Sequence, residues 1–233
     1  SVLDERIVDG LDVFAGGFTA EYGDRMSAII DARTLRPAAD AYYELGLSLI
    51  HANALASHRF ADGRGQWLTS FRRSNLDEVA DIMESEIGES SYLDGFARVD
   101  FAWSPDTRGS LQTLLARDQA EITNPAGTEQ ATAEYSNAYV WGTLTHDWSA
   151  RLATTAILSF TDVSAERQAA VDEPGKRTGA VDDRRDYDVL GLKVDASYAT
   201  DRWLQRAGVD ARKLEATYDY RGSVDFAPDY PYP

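Results

Sequence analysis

The side chains that could do chemistry are few in this sequence and lie far apart. The 233-residue chain has no cysteine and three histidines, His51, His58 and His146. His51 and His58 have opposite parity, and a turn is predicted between them, so they do not form the pattern of a zinc site. Asp182 and Asp183 have the residue type of glycosidase and calcium sites, but the surrounding run (AVDDRRDYD) carries both charges and favours a solvated loop. We therefore predict no catalytic residues, no metal or other cofactor, and no enzyme activity.

The motifs of several enzyme classes are also missing from the sequence. It has no G-x-S-x-G nucleophile elbow, no G-x-G-x-x-G dinucleotide loop, no phosphate-binding P-loop and no H-E-x-x-H pair. Acidic residues outnumber basic ones by 39 to 23, which gives a net charge of −16. This excess argues against nucleic acid as a partner, because phosphate binding needs a basic surface.

The hydropathy leaves two classes of protein. A mean hydropathy of −0.40 and the lack of any run of 18 apolar residues exclude a transmembrane helix. They do not exclude strands that cross a membrane, because only alternate residues of such strands face lipid. The chain is therefore either a soluble β-rich protein or a barrel whose apolar face is hidden by alternation.

The elements that must position these side chains show a period of two residues. From 92 to 103 one parity is apolar and the other carries Asp94 and Arg98, and segments 187–198 and 43–50 alternate in a similar way. A strand places the two parities on opposite faces. The sequence therefore predicts an all-β fold, an antiparallel up-and-down meander with strands at 42–50, 52–60, 65–73, 91–103, 109–118, 135–147, 151–163, 186–199 and 203–220.

Short and long polar connections alternate along this meander. Successive turns of a meander lie at opposite ends of the strands, so all short turns are expected at one end and all long loops at the other, as in outer-membrane barrels. The predicted short turns are 61–64, 104–108, 147–151 and 200–202, and the predicted long loops are 75–90, 119–134, 165–185 and 221 onward. The first long loop contains a predicted amphipathic helix over 74–88, which is expected to cover the strand ends or the loops, with ligand contact as the alternative.

Four of the five tryptophans lie in or near the short turns. They are Trp67, Trp103, Trp148 and Trp203. Indole favours the interface between membrane and water, where the ring lies in apolar surroundings and its N–H stays hydrated. The pattern predicts an aromatic girdle at one end of a barrel, and tryptophans at the strand ends of a soluble sandwich are the alternative.

The first forty residues differ in character from the rest. Residues 6–14 and 26–33 are predicted to be strands, and the segment 15–25 between them is rich in glycine. Pro37 begins a stretch typical of a linker. A domain boundary is therefore predicted near residue 38.

The N-terminal run VDGLDVFAGGFTAEYGDRMSAIIDARTLRP resembles the end of the plug domain in TonB-dependent outer-membrane receptors. The family pattern is a strand, a glycine-rich element of the type GGF-x-AEYG-x-R-x-S, and a second apolar strand. The downstream hairpin SSYLDGFARVDFAWSPDTRGSLQTLLARDQ is similar to the barrel of the same family. The matching positions of the glycine-rich element are Gly16, Gly17, Phe18, Ala20, Glu21, Tyr22, Gly23, Arg25 and Ser27.

This resemblance implies that residues 1–38 are the C-terminal part of a plug domain and residues 39–233 the first strands of a 22-stranded transmembrane β-barrel. Nine strands do not close such a barrel, so the chain is expected to be a portion of a larger receptor, with an open edge. Receptors of this family lie in the lipid of the bacterial outer membrane and bind a TonB-type energy-transducing protein. They actively import scarce ligands such as siderophores, saccharides, cobalamin or peptides, and the sequence does not say which of these applies.

The plug motif also predicts ionic contacts between plug and barrel wall. Glu21 and Arg25 lie four residues apart and are expected to pair with each other or with wall charges such as Glu44, Arg72 or Arg98. Energy from TonB would break contacts of this kind. A structural role in a turn is the alternative for both residues.

Two other functions compete with the receptor hypothesis. One is a soluble β-sandwich that binds carbohydrate, and the other is a passive, porin-like barrel. The buried parity distinguishes the sandwich, because a sandwich covers its apolar face with a second sheet, whereas a barrel turns that face to lipid.

Overall fold

The computed structural model describes residues 4–16, 28–74 and 89–228. A single turn of 3₁₀ helix, Glu5–Ile7, precedes a small sheet of two antiparallel strands, β1 (Val8–Phe14) and β2 (Ile29–Thr34). Nine further strands form a second sheet. They are β3 (Ala41–Leu47), β4 (His51–Phe60), β5 (Gly65–Ser74), β6 (Glu89–Ser104), β7 (Thr107–Thr123), β8 (Glu129–Ser149), β9 (Leu152–Glu173), β10 (Arg177–Ala199) and β11 (Leu204–Phe226).

The nine-stranded sheet is an antiparallel up-and-down meander. Each strand pairs with the strands before and after it in the chain, from β3 at one edge to β11 at the other. Among the described residues the edge strands β3 and β11 each have a single neighbour, so the sheet is open. The predicted all-β meander of nine strands is therefore confirmed. Within the same residues no helix is long and apolar enough to cross a bilayer.

Two of the predicted long loops are wrong. Segments 119–134 and 165–185 belong mostly to β7–β10, and the actual connections are residues 124–128 and 174–176. Period-two alternation is lost in these segments because both of their faces carry polar side chains. They remain paired strands all the same, so the acidic pair at 182 and 183 lies within β10 and not in a solvated loop. In the same way β11 extends to residue 226.

The predicted short turns are confirmed, and all four lie at one end of the sheet. At the first of them Ala61, Asp62 and Gly63 have positive φ angles of 53°, 56° and 82°, a region that favours glycine. The opposite end is less uniform than predicted, because residues 48–50 connect β3 to β4 there as another short turn. The helix predicted over 74–88 falls on residues 75–88, which lie outside the described residues.

The two faces of the sheet differ in what covers them. Residues directly opposite each other on neighbouring strands share a face, so the register assigns Leu55, Ser70, Phe96 and Leu114 to one face. We call this the inner face, because the N-terminal residues 4–7 and 34–37 contact it. The opposite, outer face carries the row Trp67, Val99, Leu111, Gly142, Leu158 and Leu192.

A small apolar core lies between the N-terminal segment and the inner face. Ile7 is fully buried and belongs to a cluster with Leu55, Leu68 and Phe96. Trp141 packs against this cluster, with its ring centroid 6.5 Å from that of Phe96. The predicted N-terminal strands are present with shifted bounds, since the 3₁₀ turn at Glu5–Ile7 replaces the start of the first one.

Candidate functional site

The buried contact between the N-terminal segment and the inner face starts at Asp4. Its carboxylate accepts hydrogen bonds from the Arg6 backbone N–H (3.1 Å), the Arg6 guanidinium (2.6 Å) and the Ser70 hydroxyl (2.7 Å). Burial by itself raises the pKa of the Asp4 carboxyl, but the hydrogen bonds from Arg6 and Ser70 outweigh it and hold that pKa below its ordinary value. Asp4 is therefore a buried carboxylate that stays ionised at neutral pH.

Arg6 carries the contact on to the edge of the sheet. Its guanidinium donates to Glu44 on β3 (3.2 Å) and to Asn53 on β4. Glu44 in turn accepts from the Tyr42 hydroxyl at 2.6 Å. The hydrogen bond to Asp4 raises the pKa of Arg6, so its charge is fixed. One arginine thus joins the 3₁₀ turn to two neighbouring strands.

Arg72 on β5 is an almost fully buried cation of the contact. Its side chain is 6% exposed, donates to Asp94 on β6 and pairs with Glu5 at 3.3 Å. The ring of Tyr92 lies 5.1 Å from the Arg72 guanidinium carbon. Asp94 uses Oδ2 for Arg72, and its buried Oδ1 has no hydrogen-bond partner in the described part of the chain. Removal of either member would leave an uncompensated buried charge.

A second set of contacts comes from the chain after β2. Arg98, on β6 and 4% exposed, pairs with Asp100 at 2.5 Å and donates to the Thr34 hydroxyl. Arg36 reaches Asp100 at 3.6 Å. The carbonyl of the buried Pro37 accepts from Gln66 (3.0 Å) and from Arg59 (3.4 Å). The segments before β1 and after β2 lie side by side at one end of the small sheet, and polar contacts around a small apolar cluster hold that end.

The outer face has the opposite character. Across β3 and β5–β11 it presents an apolar belt, here defined as Leu45, Leu47, Phe71, Leu93, Val99, Leu111, Leu115, Val140, Leu144, Leu158, Phe160, Leu190, Leu192, Val194 and Val209, each 38% exposed or more. On β4 the same face carries Ala52, Ala54 and Ala56. The side chains of this belt are exposed, whereas the contacts of residues 4–7 and 34–37 given above are with the inner face. A patch of this extent on a protein surface marks an interaction with a membrane or a partner.

The belt ends sharply on the side away from the short turns. The next outer-face residues there are Arg117 on β7, Asp162 on β9, Asp188 on β10 and Lys213 on β11. Beyond this border the outer face is polar, and the inner face carries charges as well as small and aliphatic side chains. On β10, for example, Asp183 faces inward and pairs with Arg185 (3.0 Å) and Arg167 of β9.

All four predicted girdle tryptophans lie at the short-turn end of the belt. Trp67 is on the outer face of β5. Trp103 makes an edge contact with Phe101 at 5.5 Å, and Trp148 donates its Nε1–H to Thr154 at 3.0 Å. Trp203 lies just before β11 and is 69% exposed. Their common location is the one expected of a girdle, and their contact with lipid stays a prediction.

Most of the described tyrosines lie on the inner face. Over β8–β11, beyond the N-terminal segment, the register places Tyr135, Tyr187, Tyr218 and Tyr220 there, each 40% exposed or more. Arg185 lies 5.1 Å from the Tyr218 ring. Farther from the short turns, a shallow hollow of about 330 Å³ is lined mainly by small and aliphatic side chains. This surface combines flat aromatic faces with charges, which suits contact with a ligand.

Only the first residue of the plug motif lies among the described residues. Gly16 is an exposed bend after β1, while Gly17, Phe18, Glu21, Tyr22, Gly23 and Arg25 lie outside the described residues. Pairing by Glu21 or Arg25 therefore stays a prediction.

The wall charges named for that pairing do contact the N-terminal segment, through residues that sequence reasoning missed. Glu44 binds Arg6, Arg72 binds Glu5, and Arg98 binds Thr34. The available signal was the DER triplet at 4–6, in which three charges directly precede an apolar residue.

The histidines do not come together as a site. The turn expected between His51 and His58 lies at 48–50 instead, so both are on β4 and face opposite sides. His146 shares a hydrogen bond of 2.8 Å with Thr107. Over residues 4–16, 28–74 and 89–228, no group of three or more His, Asp or Glu side chains is arranged to hold a metal ion.

No protein-family model matches the chain, and no curated protein matches it.

Proposed function

We propose that this chain is part of an outer-membrane receptor that imports a scarce ligand with energy from a TonB-type protein. Residues 1–38 would be the end of its plug domain, and residues 39–233 the first strands of its barrel. The observation that carries the proposal is the reversed use of the two faces: the polar face holds the N-terminal segment, and the apolar belt is left bare. A soluble sandwich would use the faces the other way round.

The dimensions of the belt suit a bilayer. On β10 the outer-face residues from Leu190 to Tyr198 are apolar, a stretch close to the roughly 9–11 residues that a tilted strand needs to cross. The remainder of this strand, Arg177 to Val189, carries charges on both faces. In the proposed setting these residues project into water on the side where the receptor meets its ligand.

The inner-face contacts suit a plug that must be released. Asp4, Arg6, Arg72 and Arg98 make directional contacts that are strong when intact and lost completely when one partner moves. A hydrophobic interface is non-directional and yields more gradually. Force applied to the N-terminal segment would therefore break the contacts one arginine at a time.

The passive porin-like barrel is the weaker alternative, because residues 4–7 and 34–37 occupy the inner face and would obstruct a diffusion path. The exposed inner-face tyrosines favour a bound ligand. They do not distinguish among siderophores, saccharides, cobalamin and peptides.

Membrane contact can be tested by single-tryptophan variants. One variant keeps Trp148 on the belt side and the other keeps Trp141 on the inner face, with the remaining tryptophans changed to Phe. On dilution from urea into vesicles with brominated acyl chains, Trp148 should be strongly quenched and Trp141 only weakly. A chain that stays in water as a monomer with a cooperative melt would overturn the proposal, as would equal quenching of the two.

Energy coupling can be tested in cells, because the chain contains no cysteine. Ser70→Cys places a thiol under Asp4, and Thr69→Cys places one on the outer face. In the whole receptor, labelling at position 70 by a maleimide should rise when TonB and the proton gradient are present, while labelling at position 69 should not. Identical labelling of Ser70→Cys in cells without TonB would contradict the coupled mechanism.

A further inference from the structure

The four short turns share a composition that the apolar belt does not explain. Each of them, counted with the strand ends beside it, holds one aspartate and one arginine. The pairs are Asp62 and Arg64, Asp106 and Arg108, Asp147 and Arg151, and Asp201 and Arg202. Counted in the same way, the described connections at the opposite end, residues 48–50, 124–128 and 174–176, are flanked by one arginine, Arg177, which pairs with Glu173 and Glu129. An arginine at every turn is therefore a feature of the end where the tryptophans lie.

Among the described residues, three of these four arginines have no carboxylate partner. Arg108 pairs with Asp147 at 2.6 Å. The guanidinium of Arg64 donates to the Ala61 carbonyl (3.3 Å) and lies 5.8 Å from the ring of Phe101. Within the described part of the chain, the side chains of Arg151 and Arg202 make no hydrogen bond or ion pair. All three unpaired guanidinium groups are exposed at the strand ends.

Arginines of the outer face at the opposite end are paired. Arg117 binds Glu134 at 2.7 Å, Arg184 binds Asp186 at 3.0 Å, and Arg221 binds Asp219 at 2.9 Å. Exposed arginines in this acidic chain thus find carboxylates readily. The unpaired set at the short turns is a local exception, and its donors remain available to an external anion.

We propose that Arg64, Arg151 and Arg202 bind the headgroup phosphates of phospholipid at the short-turn end, an inference that rests on the proposed membrane location. The guanidinium presents paired N–H donors that match a phosphate in two-point contact. In the proposed membrane, the tryptophans at this end lie at the depth of the lipid headgroups. The long arginine side chains extend outward from the strand ends, so their guanidinium groups reach the headgroup phosphates.

The local charge permits this contact in spite of the acidic chain. The four turns together carry four arginines and four aspartates, whereas the whole chain carries −16. Asp62, Asp106 and Asp201 lie on the same turns and oppose a phosphate. Their side chains are shorter than those of the arginines, and they are exposed, so dissolved ions screen them.

The test compares two triple variants that change the net charge equally. The first is Arg64→Gln, Arg151→Gln and Arg202→Gln, and the matched control is Arg117→Gln, Arg184→Gln and Arg221→Gln. Partition of the full chain is measured by flotation with vesicles of phosphatidylcholine, of phosphatidylcholine with phosphatidylglycerol, and of digalactosyl diglyceride, which contains no phosphate. The turn variant should lose about tenfold in partition to both phospholipid vesicles and little to the galactolipid, while the control should change little.

The outcomes separate phosphate binding from a general effect of charge. Equal losses in the two triple variants, an unchanged turn variant, or an equal loss with galactolipid would overturn phosphate binding. The Arg→Lys triple at the same turns should keep most of the partition, because lysine also binds phosphate as a point charge, and a loss as large as with Gln would count against the proposal. If the unaltered chain partitions into none of the vesicles, both this inference and the proposed function fail. If it partitions into all of them, the proposed function survives whatever the variants do.

Discussion

The inner and outer faces of the same strands show how one sequence serves two environments. On β6, Asp94, Phe96 and Arg98 face inward and are almost fully buried, while Leu93 and Val99 face outward and are exposed. Among the described residues, the buried set contains five apolar and eight polar or charged residues. A water-soluble β-sandwich packs its apolar faces together. Here the protein itself covers the polar face and leaves the apolar one exposed, which is the arrangement that the proposed membrane location requires.

Loss of a buried cation should destabilise the contacts of the inner face. In Arg72→Met the Asp94 carboxylate loses its partner, and we expect destabilisation of about 3–5 kcal/mol, the range for breaking a buried ion pair. Urea unfolding of the chain in vesicles measures it. Arg73→Met, on the outer face one residue away, is the control and should cost much less. The double change Arg72→Met with Asp94→Leu should recover most of the loss, and failure of that recovery would show that the pair has a role beyond charge compensation.

A charge in the middle of the apolar belt should destabilise the chain in a membrane. Leu158→Arg is expected to destabilise the vesicle-inserted chain by about 2–4 kcal/mol, the range for an arginine at the bilayer midplane. The neighbouring inner-face change Ser159→Arg should cost less, because that side is polar. The measurement is the same urea titration. If Leu158→Arg is harmless in vesicles, the belt does not face lipid and the comparison of the two faces has to be reinterpreted.

These two faces were predictable from sequence to different degrees. Alternation between Leu93 and Trp103 was enough to predict the strands and the apolar parity, because each residue of a strand reports its own face. The long extensions of β7–β10 were missed because the prediction depended on this alternation. Where both faces are polar, as around Asp183, alternation disappears and a paired strand has the composition of a loop.

The observed inner-face contacts were not predicted residue by residue. Glu44, Arg72 and Arg98 were named as alternative partners of Glu21 and Arg25, which lie outside the described residues. The structure shows these three wall residues bound to Arg6, Glu5 and Thr34. Pairs such as Arg72 and Glu5, 67 residues apart in the chain, depend on how a short segment docks across several strands. Local periodicity contains no information about such docking.

Neutralising Asp4 should loosen the N-terminal segment without unfolding the sheet. Asp4→Asn keeps the shape but weakens the hydrogen bonds from Arg6 and Ser70, and we expect a loss of about 1–3 kcal/mol in segment docking. Hydrogen exchange in peptides covering residues 4–16 reads this directly. The control Asp9→Asn, an exposed position in β1, should leave exchange unchanged. Equal protection in Asp4→Asn would show that the ionic contacts do not hold the segment.

Acidification should produce a smaller version of the same effect. Because the folded pKa of Asp4 lies below its ordinary value, the stabilisation from its carboxylate is complete above about pH 4, the unfolded value, and is lost as pH falls through the lower folded value. Hydrogen exchange in residues 4–16, corrected for the intrinsic pH dependence of exchange, should therefore rise relative to the nine-stranded sheet only in strong acid. Asp4→Asn should flatten part of this rise. If the two profiles coincide, docking does not depend on the charge of Asp4, and the inner face is held by its small apolar cluster instead of its ion pairs.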